Sequence, residues 1–370
     1  MSRISNITLW AHRLQLAVPY VYGGGQLDAA TTLIVRVTTE DGLEGWGESC
    51  PLGPTYQPAH ALGGIAAVQE FAPKLLGQRA LPRVLSAVMD GALDGHNYAK
   101  ALIDIAAWDI LGKRAGLPLH TVLGGALVDP VPSYFAVRPL PPMEMAEEVQ
   151  ARVAEGYRTI QIKIGSGDLQ ADADSVRAAW KAAPSGIAFA ADANRTLLVE
   201  DVVHLSRMLR DVPVALEQPC RTPEEMRQLK GRVHHPIYWD ESMTSPGVVL
   251  EAVGQGHCDG LGMKVTRVGG ISGMIALRDM SVARNMKLSV DDSWGGDIIA
   301  AACVHLGATV PPRLFRGTWL AQPFIGSHYD RNGGVHIEGG HIALPKGPGL
   351  GVMPEAEMFG PPVAEFEAKI

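Results

Sequence analysis

The strongest constraint on the fold of this chain is a repeated alternation of short apolar strands with helical segments. Between residues 131 and 317 the pattern occurs eight times. The predicted strands, which proline and glycine bound, are 131–137, 159–164, 187–192, 212–217, 237–240, 259–264, 287–291 and 313–317. Strands that alternate with helices form parallel sheets, so eight units predict a closed, TIM-like α/β barrel. A doubly wound open sheet is the alternative, but it usually has fewer strands, and no glycine-rich phosphate-binding turn follows the first strand.

Sequence signals mark the ends of several intervening helices. Residues 222–225, Thr-Pro-Glu-Glu, form a capping box with proline at the first helical position. Ser245 and Pro246 begin the next helix in the same way, and Gly156 ends the helix after the first strand. These boundaries agree with the predicted strands.

The first 125 residues follow a different pattern, which indicates an α+β domain. A predicted strand at 32–38 and the following turn Asp41-Gly42 indicate a hairpin, and 59–78 and 98–115 are predicted helices. The last fifty residues are rich in glycine and proline, and we expect them to pack on the first domain. The predicted domains are a capping domain over 1–125, a barrel over 126–320 and a C-terminal segment over 321–370.

Composition excludes several classes of partner. The net charge is −7 and no basic run is present, which argues against nucleic-acid binding. The longest uncharged apolar stretch, residues 298–310, is too short to span a membrane. The four cysteines lack paired spacing and no secretory signal is visible, so we expect a cytoplasmic protein with reduced thiols. Symmetric homo-oligomers are common, and we expect one here.

Ionisable side chains stand at six consecutive predicted strand ends, where barrel enzymes place their chemistry. They are Lys163, Asp192, Glu217, Asp240, Lys264 and the pair Asp291-Asp292. A single strand-end aspartate is most often the N-cap of the next helix. Three carboxylates on adjacent strands instead favour a site for a hard cation such as Mg²⁺, because no cysteine or histidine accompanies them.

The two lysines end the second and sixth predicted strands, which lie opposite each other in a barrel of eight. Alternation along residues 159–164 directs Gln161 and Lys163 into the barrel mouth. Gly260 and Gly262 leave room beneath Lys264. Two opposed bases around a metal-bound carboxylate predict proton transfer at the α-carbon, with one lysine on each face.

Several motifs together resemble the enolase superfamily, in its mandelate racemase/muconate lactonising branch, over essentially the whole chain. They are Gly45-Trp46-Gly47-Glu48, residues 104–109, Leu123-Gly124-Gly125, Asp192-Ala193-Asn194, Glu217-Gln218-Pro219, Asp240-Glu241-Ser242 and Lys264 with Gly269-Gly270. The resemblance implies an α+β capping domain, completed by the C-terminal segment, on a (β/α)7β barrel. It also implies that Asp192, Glu217 and Asp240 bind Mg²⁺.

Within that branch, further motifs are most similar to those of the betaine epimerases. They are residues 53–56, residues 95–100, residues 291–297, and Trp319 with Gln322-Pro323. This similarity implies a small carboxylate substrate with a quaternary ammonium group. Aromatic faces attract such a cation, worth about 2 kcal/mol when desolvated. We expect Tyr56 and Trp319 to meet over the barrel mouth, with Trp294 and the negative charge of Asp292 beside them.

Other residues near these motifs have supporting or open roles. Gln161 replaces the first lysine of the branch's usual Lys-x-Lys, and Asn194 and Glu241 are expected to orient metal ligands or lysines. Arg138 stands where the betaine epimerases are expected to have a small residue, and would add a cation near the cavity. Residues 23–25, three glycines, favour a mobile lid over a plain turn.

The leading hypothesis is therefore a Mg²⁺-dependent racemase or epimerase acting at the α-carbon of an N-modified proline. The alternatives are dehydration of cis-3-hydroxy-L-proline by β-elimination and a muconate-type cycloisomerisation. A sugar-acid dehydratase is disfavoured because Lys264 stands where a His-Asp dyad is expected. A non-catalytic barrel is disfavoured because both lysines and all three carboxylates are present.

Overall fold

The computed structural model describes residues 2–22, 25–53, 56–330 and 334–368. The N-terminal part contains a sheet whose strands are β1 (Ile4–Tyr22), β2 (Gly25–Thr39) and β3 (Glu44–Ser49). Neighbouring strands run antiparallel, and the turn at Asp41-Gly42 joins β2 to β3 as a hairpin. The glycine-triplet lid predicted at residues 23–25 falls largely outside the described residues.

Four helices follow this sheet: α1 (Ala61–Leu75), α2 (Pro82–Ala92), α3 (Asn97–Ala115) and α4 (Leu119–Val122). Most residues of helix α3 are buried, and β3 packs closely on one side of it. A Cβ atom at Gly45 would lie 2.2 Å from the carbonyl oxygen of Ala106, and one at Gly47 would lie 1.9 Å from that of Leu102. The two glycines of the 45–48 motif therefore permit the contact between sheet and helix.

The barrel contains a curled sheet of seven parallel strands. After β4 (Val131–Pro132), these strands are β5 (Phe135–Val137), β6 (Thr159–Lys163), β7 (Ala188–Asp192), β8 (Val214–Glu217), β9 (Ile237–Trp239), β10 (Gly260–Lys264) and β11 (Lys287–Asp291). Each hydrogen-bonds to its neighbour in chain order. The fold is a TIM-type barrel with an N-terminal cap, as the sequence predicts.

The barrel helices are α5 (Pro142–Ala154), α6 (Leu169–Ala182), α7 (Val199–Met208), α8 (Pro223–Arg227), α9 (Pro246–Gly254), α10 (Ile271–Ala283) and α11 (Asp297–Ala308). The capping box at Thr222 is present, since its side chain accepts from Glu225 N–H while Glu225 accepts from Thr222 N–H. Ser245 caps α9 with proline at the first turn, as predicted. None of the helices in the described residues is both long and apolar enough to cross a membrane.

The predicted eighth strand, 313–317, is wrong as a regular strand. A single bridge lies there, in which Phe315 pairs with Leu288, and a second lies just beyond it, in which Thr318 pairs with Ser133. The preceding prolines 311–312 lack N–H donors, which disfavours a continuous ladder. The predicted first strand, 131–137, is likewise divided into β4 and β5.

The residues after 320 contact both parts of the molecule. Strands β12 (Ile337–Glu338) and β13 (His341–Ile342) form a hairpin that pairs with β4. Strand β14 (Ala364–Glu367) pairs antiparallel with β1 at the edge of the capping sheet. The domain boundaries at residues 125 and 320 stay predictions.

Register along the barrel places the chemistry in one layer. Lys163 on β6 is aligned with Asp192 on β7, which is aligned with Glu217 on β8. Lys264 on β10 is aligned with Asp291 on β11. Because parallel strands end at the same edge of the sheet, these side chains meet at the barrel mouth beneath the cap.

Candidate active site

A cavity of about 40 Å³ lies at the C-terminal ends of the barrel strands. Ten of the residues predicted for the site line it: Tyr56, Gln161, Lys163, Asp192, Asn194, Asp240, Lys264, Asp292, Trp294 and Trp319. Glu217 and Glu241 do not line this cavity and stand beside Asp192 and Asn194 respectively. The structure thus brings the two lysines to a single cavity.

Lys163 is buried against Asp192. Its Nζ donates to Asp192 Oδ2 at 2.6 Å, and only 7% of the residue is exposed. Burial lowers the pKa of Lys163, but the Asp192 carboxylate and neighbouring groups outweigh burial, so the net direction is upward. The lysine is therefore held as an ammonium ion while it is paired with Asp192.

Lys264 has a looser environment. Its Nζ lies 3.6 Å from Asp240 Oδ2 and 3.7 Å from Asp291 Oδ2, so two carboxylates share one ammonium group. Burial lowers the pKa of Lys264 as well, and these carboxylates again outweigh it. A side chain at Gly262 on the same strand would crowd the site, because its Cβ would lie 3.0 Å from the Cβ of Asp240.

Each of the three predicted metal ligands is paired with a cationic side chain. Asp192 contacts Lys163 at 2.6 Å, Glu217 Oε2 accepts from Arg316 Nη2 at 2.9 Å, and Asp240 Oδ1 accepts from Arg267 Nη1 at 2.6 Å. Within the part of the chain that the structure describes, no three carboxylate, imidazole or thiol groups surround one point at metal-ligand spacing. The three predicted metal ligands are therefore all present, but each carboxylate is bound to a lysine or an arginine.

The chemistry of these carboxylates nevertheless fits a divalent cation. Burial raises the pKa of Asp192, and the charges of Glu217 and Asp240 raise it further against the lowering effect of Lys163. A pKa raised by neighbouring carboxylates shows that the three groups repel one another. Buried oxygen ligands with excess negative charge suit Mg²⁺, which typically binds one or two carboxylates together with water or substrate.

Arg267 and Arg316 contact two of the predicted metal ligands, and the sequence interpretation missed both. Arg267 lies in a short 3-10 turn, Thr266–Val268, just after β10, and Arg316 lies in the irregular segment that replaces the eighth strand. Both are buried. The one available signal was position, because Arg316 falls inside the predicted strand 313–317.

An aromatic cluster forms one side of the cavity. The rings of Trp294 and Trp319 meet edge to face with centroids 5.6 Å apart, and Tyr20 lies 5.2 Å from Trp294 and 6.0 Å from Trp319. Phe324 packs behind them, 5.0 Å from Tyr20. Tyr20 comes from β1 of the cap and had no sequence signal. Tyr56 lines the same cavity.

Asp292 is the acidic residue beside these rings. Burial raises the pKa of Asp292 to about 7, although Thr266 Oγ1 and the N–H of Ser293 each donate to Oδ1 at 2.7 Å. Its Oδ2 has no hydrogen-bond partner. A nearby cation would favour the ionised form and satisfy this oxygen.

Asn194 links two acidic groups at the edge of the site. Its Nδ2 donates to Asp192 Oδ2 at 3.1 Å and to Glu241 Oε1 at 3.0 Å. Its backbone is left-handed, with φ 44°, which directs its N–H to Asp192 Oδ1 at 2.8 Å. These contacts are what the predicted orienting role of Asn194 and Glu241 requires.

Arg138 was expected to add a cation near the cavity, and this expectation is wrong. Its side chain is exposed, and Arg138 is not among the described residues that line the cavity. It directly follows β5, which ends at Val137, and precedes α5.

Two family models match the chain. A model of the N-terminal domain of mandelate racemase/muconate lactonizing enzyme matches residues 4–124, and an enolase C-terminal domain-like model matches residues 144–358. Together they cover the cap and most of the barrel.

Individual proteins are similar along nearly the full length. Cis-3-hydroxy-L-proline dehydratase from Roseibium aggregatum is 35% identical over 346 residues, 93% of each chain. L-Ala-D/L-Glu epimerase from Bacillus subtilis is 27% identical over 337 residues, 90% of this chain and 91% of that one. A crystal structure of an enolase superfamily member from Roseovarius nubinhibens, complexed with magnesium, has a TM-score of 0.95 and 34% identity, with both chains covered completely.

Proposed function

The chain belongs to the mandelate racemase/muconate lactonizing enzyme family of the enolase superfamily, and from this premise we propose that it is a Mg²⁺-dependent racemase or epimerase. Its substrate would be a small carboxylate with a cationic nitrogen next to the α-carbon, such as proline betaine or its 4-hydroxy form. The observation that supports the reaction is the pair of buried lysines, from β6 and β10, that line one cavity.

In this proposal the two lysines exchange the α-proton across the substrate. The lysine that has lost its ammonium proton, Lys163 or Lys264, accepts the α-proton through its Nζ on one face, and the other, as an ammonium ion, donates a proton to the opposite face. The direction depends on which enantiomer is bound. Asp192 on one side, and Asp240 and Asp291 on the other, hold the two Nζ atoms in place.

Asp192, Glu217 and Asp240 would hold the metal ion. When bound there, Mg²⁺ supplies positive charge that offsets the negative charge developing on the substrate carboxylate. Arg316 neutralises Glu217 and Arg267 neutralises Asp240. The two arginines therefore limit the repulsion among the three carboxylates. Asn194 fixes the orientation of Asp192 through two hydrogen bonds.

The cationic nitrogen would lie against the aromatic cluster. Tyr20, Trp294 and Trp319 provide ring surfaces, and Asp292 provides a carboxylate with one unpartnered oxygen. A quaternary ammonium group cannot donate hydrogen bonds, so ring faces and a charge are suitable partners. This lining supports a betaine over a second anion.

The test is exchange of the α-proton for deuterium in D₂O, followed by NMR for each enantiomer of proline betaine with Mg²⁺ present. We expect exchange and inversion from both enantiomers, and loss of both after metal chelation. Absence of exchange from either enantiomer would exclude this substrate.

A second candidate is dehydration of cis-3-hydroxy-L-proline, favoured by the dehydratase relative that is 35% identical. It needs the same α-proton removal, followed by departure of the 3-hydroxyl group as water. The same NMR experiment with cis-3-hydroxy-L-proline separates the two, because dehydration gives a product without the 3-hydroxyl group, whereas epimerisation retains it.

A further inference from the structure

A second and larger cavity, of about 530 Å³, lies between the cap and the barrel beside the candidate active site. We propose that it binds a small organic carboxylate with an apolar body. Residues 56–60 and 94–98 of the cap and the loops after β7, β8 and β9 surround it. Tyr56 lines both cavities. The proposal concerns a separate site and does not rest on the proposed reaction.

Four residues that line this cavity carry a buried side-chain polar atom without a hydrogen-bond partner. The atoms are Ser49 Oγ, Gln57 Nε2, Glu241 Oε2 and Arg267 Nη2. All four residues are more than nine-tenths buried. Leaving such atoms unpaired costs free energy, and native structures usually satisfy them with protein, water or ligand. Hydrogen-bond donors outnumber acceptors among these four groups, so they favour a ligand that accepts.

Only one of the two terminal nitrogens of the Arg267 guanidinium group has a hydrogen-bond partner. Its Nη1 donates to the backbone oxygen and to Oδ1 of Asp240, both at 2.6 Å, while Nη2 remains without a partner. A guanidinium group binds carboxylates through its N–H donors, and charge-assisted bonds of this kind are strong. Arg267 is only 4% exposed, so an anion that reaches Nη2 would be shielded from water.

The remainder of the wall matches the other properties of such a ligand. Arg195 and Arg221 also line the cavity, so three arginines face two carboxylate side chains, those of Asp94 and Glu241. Apolar side chains complete the lining: Leu33, Pro51 and Pro58. The volume falls in the range typical of small-molecule sites. Arginine side chains together with an apolar wall fit an organic acid better than inorganic phosphate.

Gln57 is positioned to contribute the second donor. Its Oε1 accepts a hydrogen bond from the hydroxyl of Tyr98, which fixes the amide, while Nε2 has no hydrogen-bond partner. Ser49 comes from the end of β3, so the cap supplies Ser49 and Gln57 while the barrel supplies Arg267. A bound carboxylate would therefore join the cap to the barrel.

The probe is 3-phenylpropionate, titrated into the Mg²⁺-loaded protein by calorimetry. We expect one bound molecule per chain and much weaker binding of the uncharged 3-phenylpropanamide. Gln57→Leu removes one donor to a charged group and should weaken binding roughly tenfold. Ser49→Ala should weaken binding less without loss of folding, because its hydroxyl has no protein partner to lose.

Lys163→Met is the matched control, because it alters the barrel-mouth cavity and leaves this wall intact. We expect it to bind 3-phenylpropionate as the parent protein does. No binding at millimolar probe would mean that water alone satisfies the four atoms, and would overturn the proposal. Equal affinity for the amide, or loss of binding in Lys163→Met with retention in Gln57→Leu, would overturn it as well. Deuterium exchange at the α-carbon of proline betaine reports on the proposed reaction independently.

Discussion

Buried carboxylates occur in two regions of this molecule, the barrel mouth and the seam between cap and barrel, with different partners. At the barrel mouth Asp192, Glu217 and Asp240 each contact a lysine or arginine within 3 Å. At the seam Glu48 and Asp104 accept hydrogen bonds from neutral donors. Glu48 accepts from the N–H groups of residues 296 and 299 and from two hydroxyls, at 2.8–3.1 Å.

The two sets of contacts suit different roles: those at the barrel mouth suit the proposed reaction, and those at the seam hold the cap on the barrel. An ion pair at the barrel mouth can exchange its cation for another, and the proposed metal ion and ammonium groups require this. The seam carboxylates bind the start of a barrel helix: Glu48 caps α11, and Asp104 accepts from Ser272 N–H at 2.9 Å and from its hydroxyl at 2.5 Å at the start of α10. Such contacts hold the cap in register with the barrel and have no exchangeable charge.

The largest expected effect tests the barrel-mouth side of this comparison. Lys163→Met and Lys264→Met should each lower racemisation by about 10³- to 10⁴-fold, because each removes a proton-transfer group from one face of the substrate. Thermal unfolding should change little by comparison. Steady-state polarimetry with each enantiomer and a melting curve measure the two quantities.

Lys181→Met, an exposed lysine on α6, is the control for loss of a positive charge. It should retain the parent rate. If Lys163→Met or Lys264→Met also retained the parent rate, the two-base mechanism would be wrong, and the ion pairs at the barrel mouth would be as structural as the seam contacts.

The next effect tests the seam. Glu48→Ala removes the acceptor of four hydrogen bonds, and we expect the free energy of unfolding to fall by roughly 4 kcal/mol. Glu48→Gln keeps an acceptor oxygen and should lose about half as much. Denaturant titration measures both. Activity per folded molecule should fall far less than in the lysine variants; a loss as large as theirs would break the distinction between the two regions.

The sequence predicts the barrel mouth well because its residues lie on periodic elements. Alternation along a strand and the shared edge of parallel strands are enough to place Lys163, Asp192 and Lys264 together. The same reasoning recovers six of the eight predicted strands closely. It fails at 313–317, where neighbouring prolines and the demands of barrel closure replace a regular ladder with single bridges.

The rest of the site depends on contacts that do not follow from the periodicity of a strand or helix. Tyr20 reaches the cavity from the far end of β1, more than 270 residues before its partners Trp294 and Trp319 in the chain. Arg267 and Arg316 lie on a 3-10 turn and an irregular segment, where side-chain direction does not follow from sequence spacing. The 45–48 motif was visible, but its role in packing on α3 and capping α11 required the tertiary structure.

The pH dependence of stability tests the seam carboxylate Asp104. Burial raises the pKa of Asp104 from 3.8 to about 6, despite the hydrogen bonds from Ser272. The folded state therefore binds this proton more tightly than the unfolded state. The contribution of Asp104 to the free energy of unfolding is present below about pH 4 and is lost as pH rises through 6. The difference in pKa corresponds to roughly 3 kcal/mol at most.

Asp104→Asn should remove this part of the pH dependence, so the stability of the parent protein should fall relative to the variant between about pH 4 and 6. Glu70→Gln, an exposed change on α1, is the control and should keep the parent slope. Parallel curves for the parent and Asp104→Asn would show that the seam carboxylate is solvated in solution.

The smallest expected effect concerns the uncharged lining of the barrel mouth. Trp319→Leu should raise KM for proline betaine roughly tenfold with kcat little changed, because a ring face that attracts a cation is lost while both lysines remain. Trp319→Phe should restore most of the affinity. Phe324→Leu, which alters a ring packed on Trp319 at 6.2 Å but outside the cavity lining, is the matched control. If Phe324→Leu and Trp319→Leu raised KM equally, the cluster would act by packing, as the seam does, and the cation would need another partner.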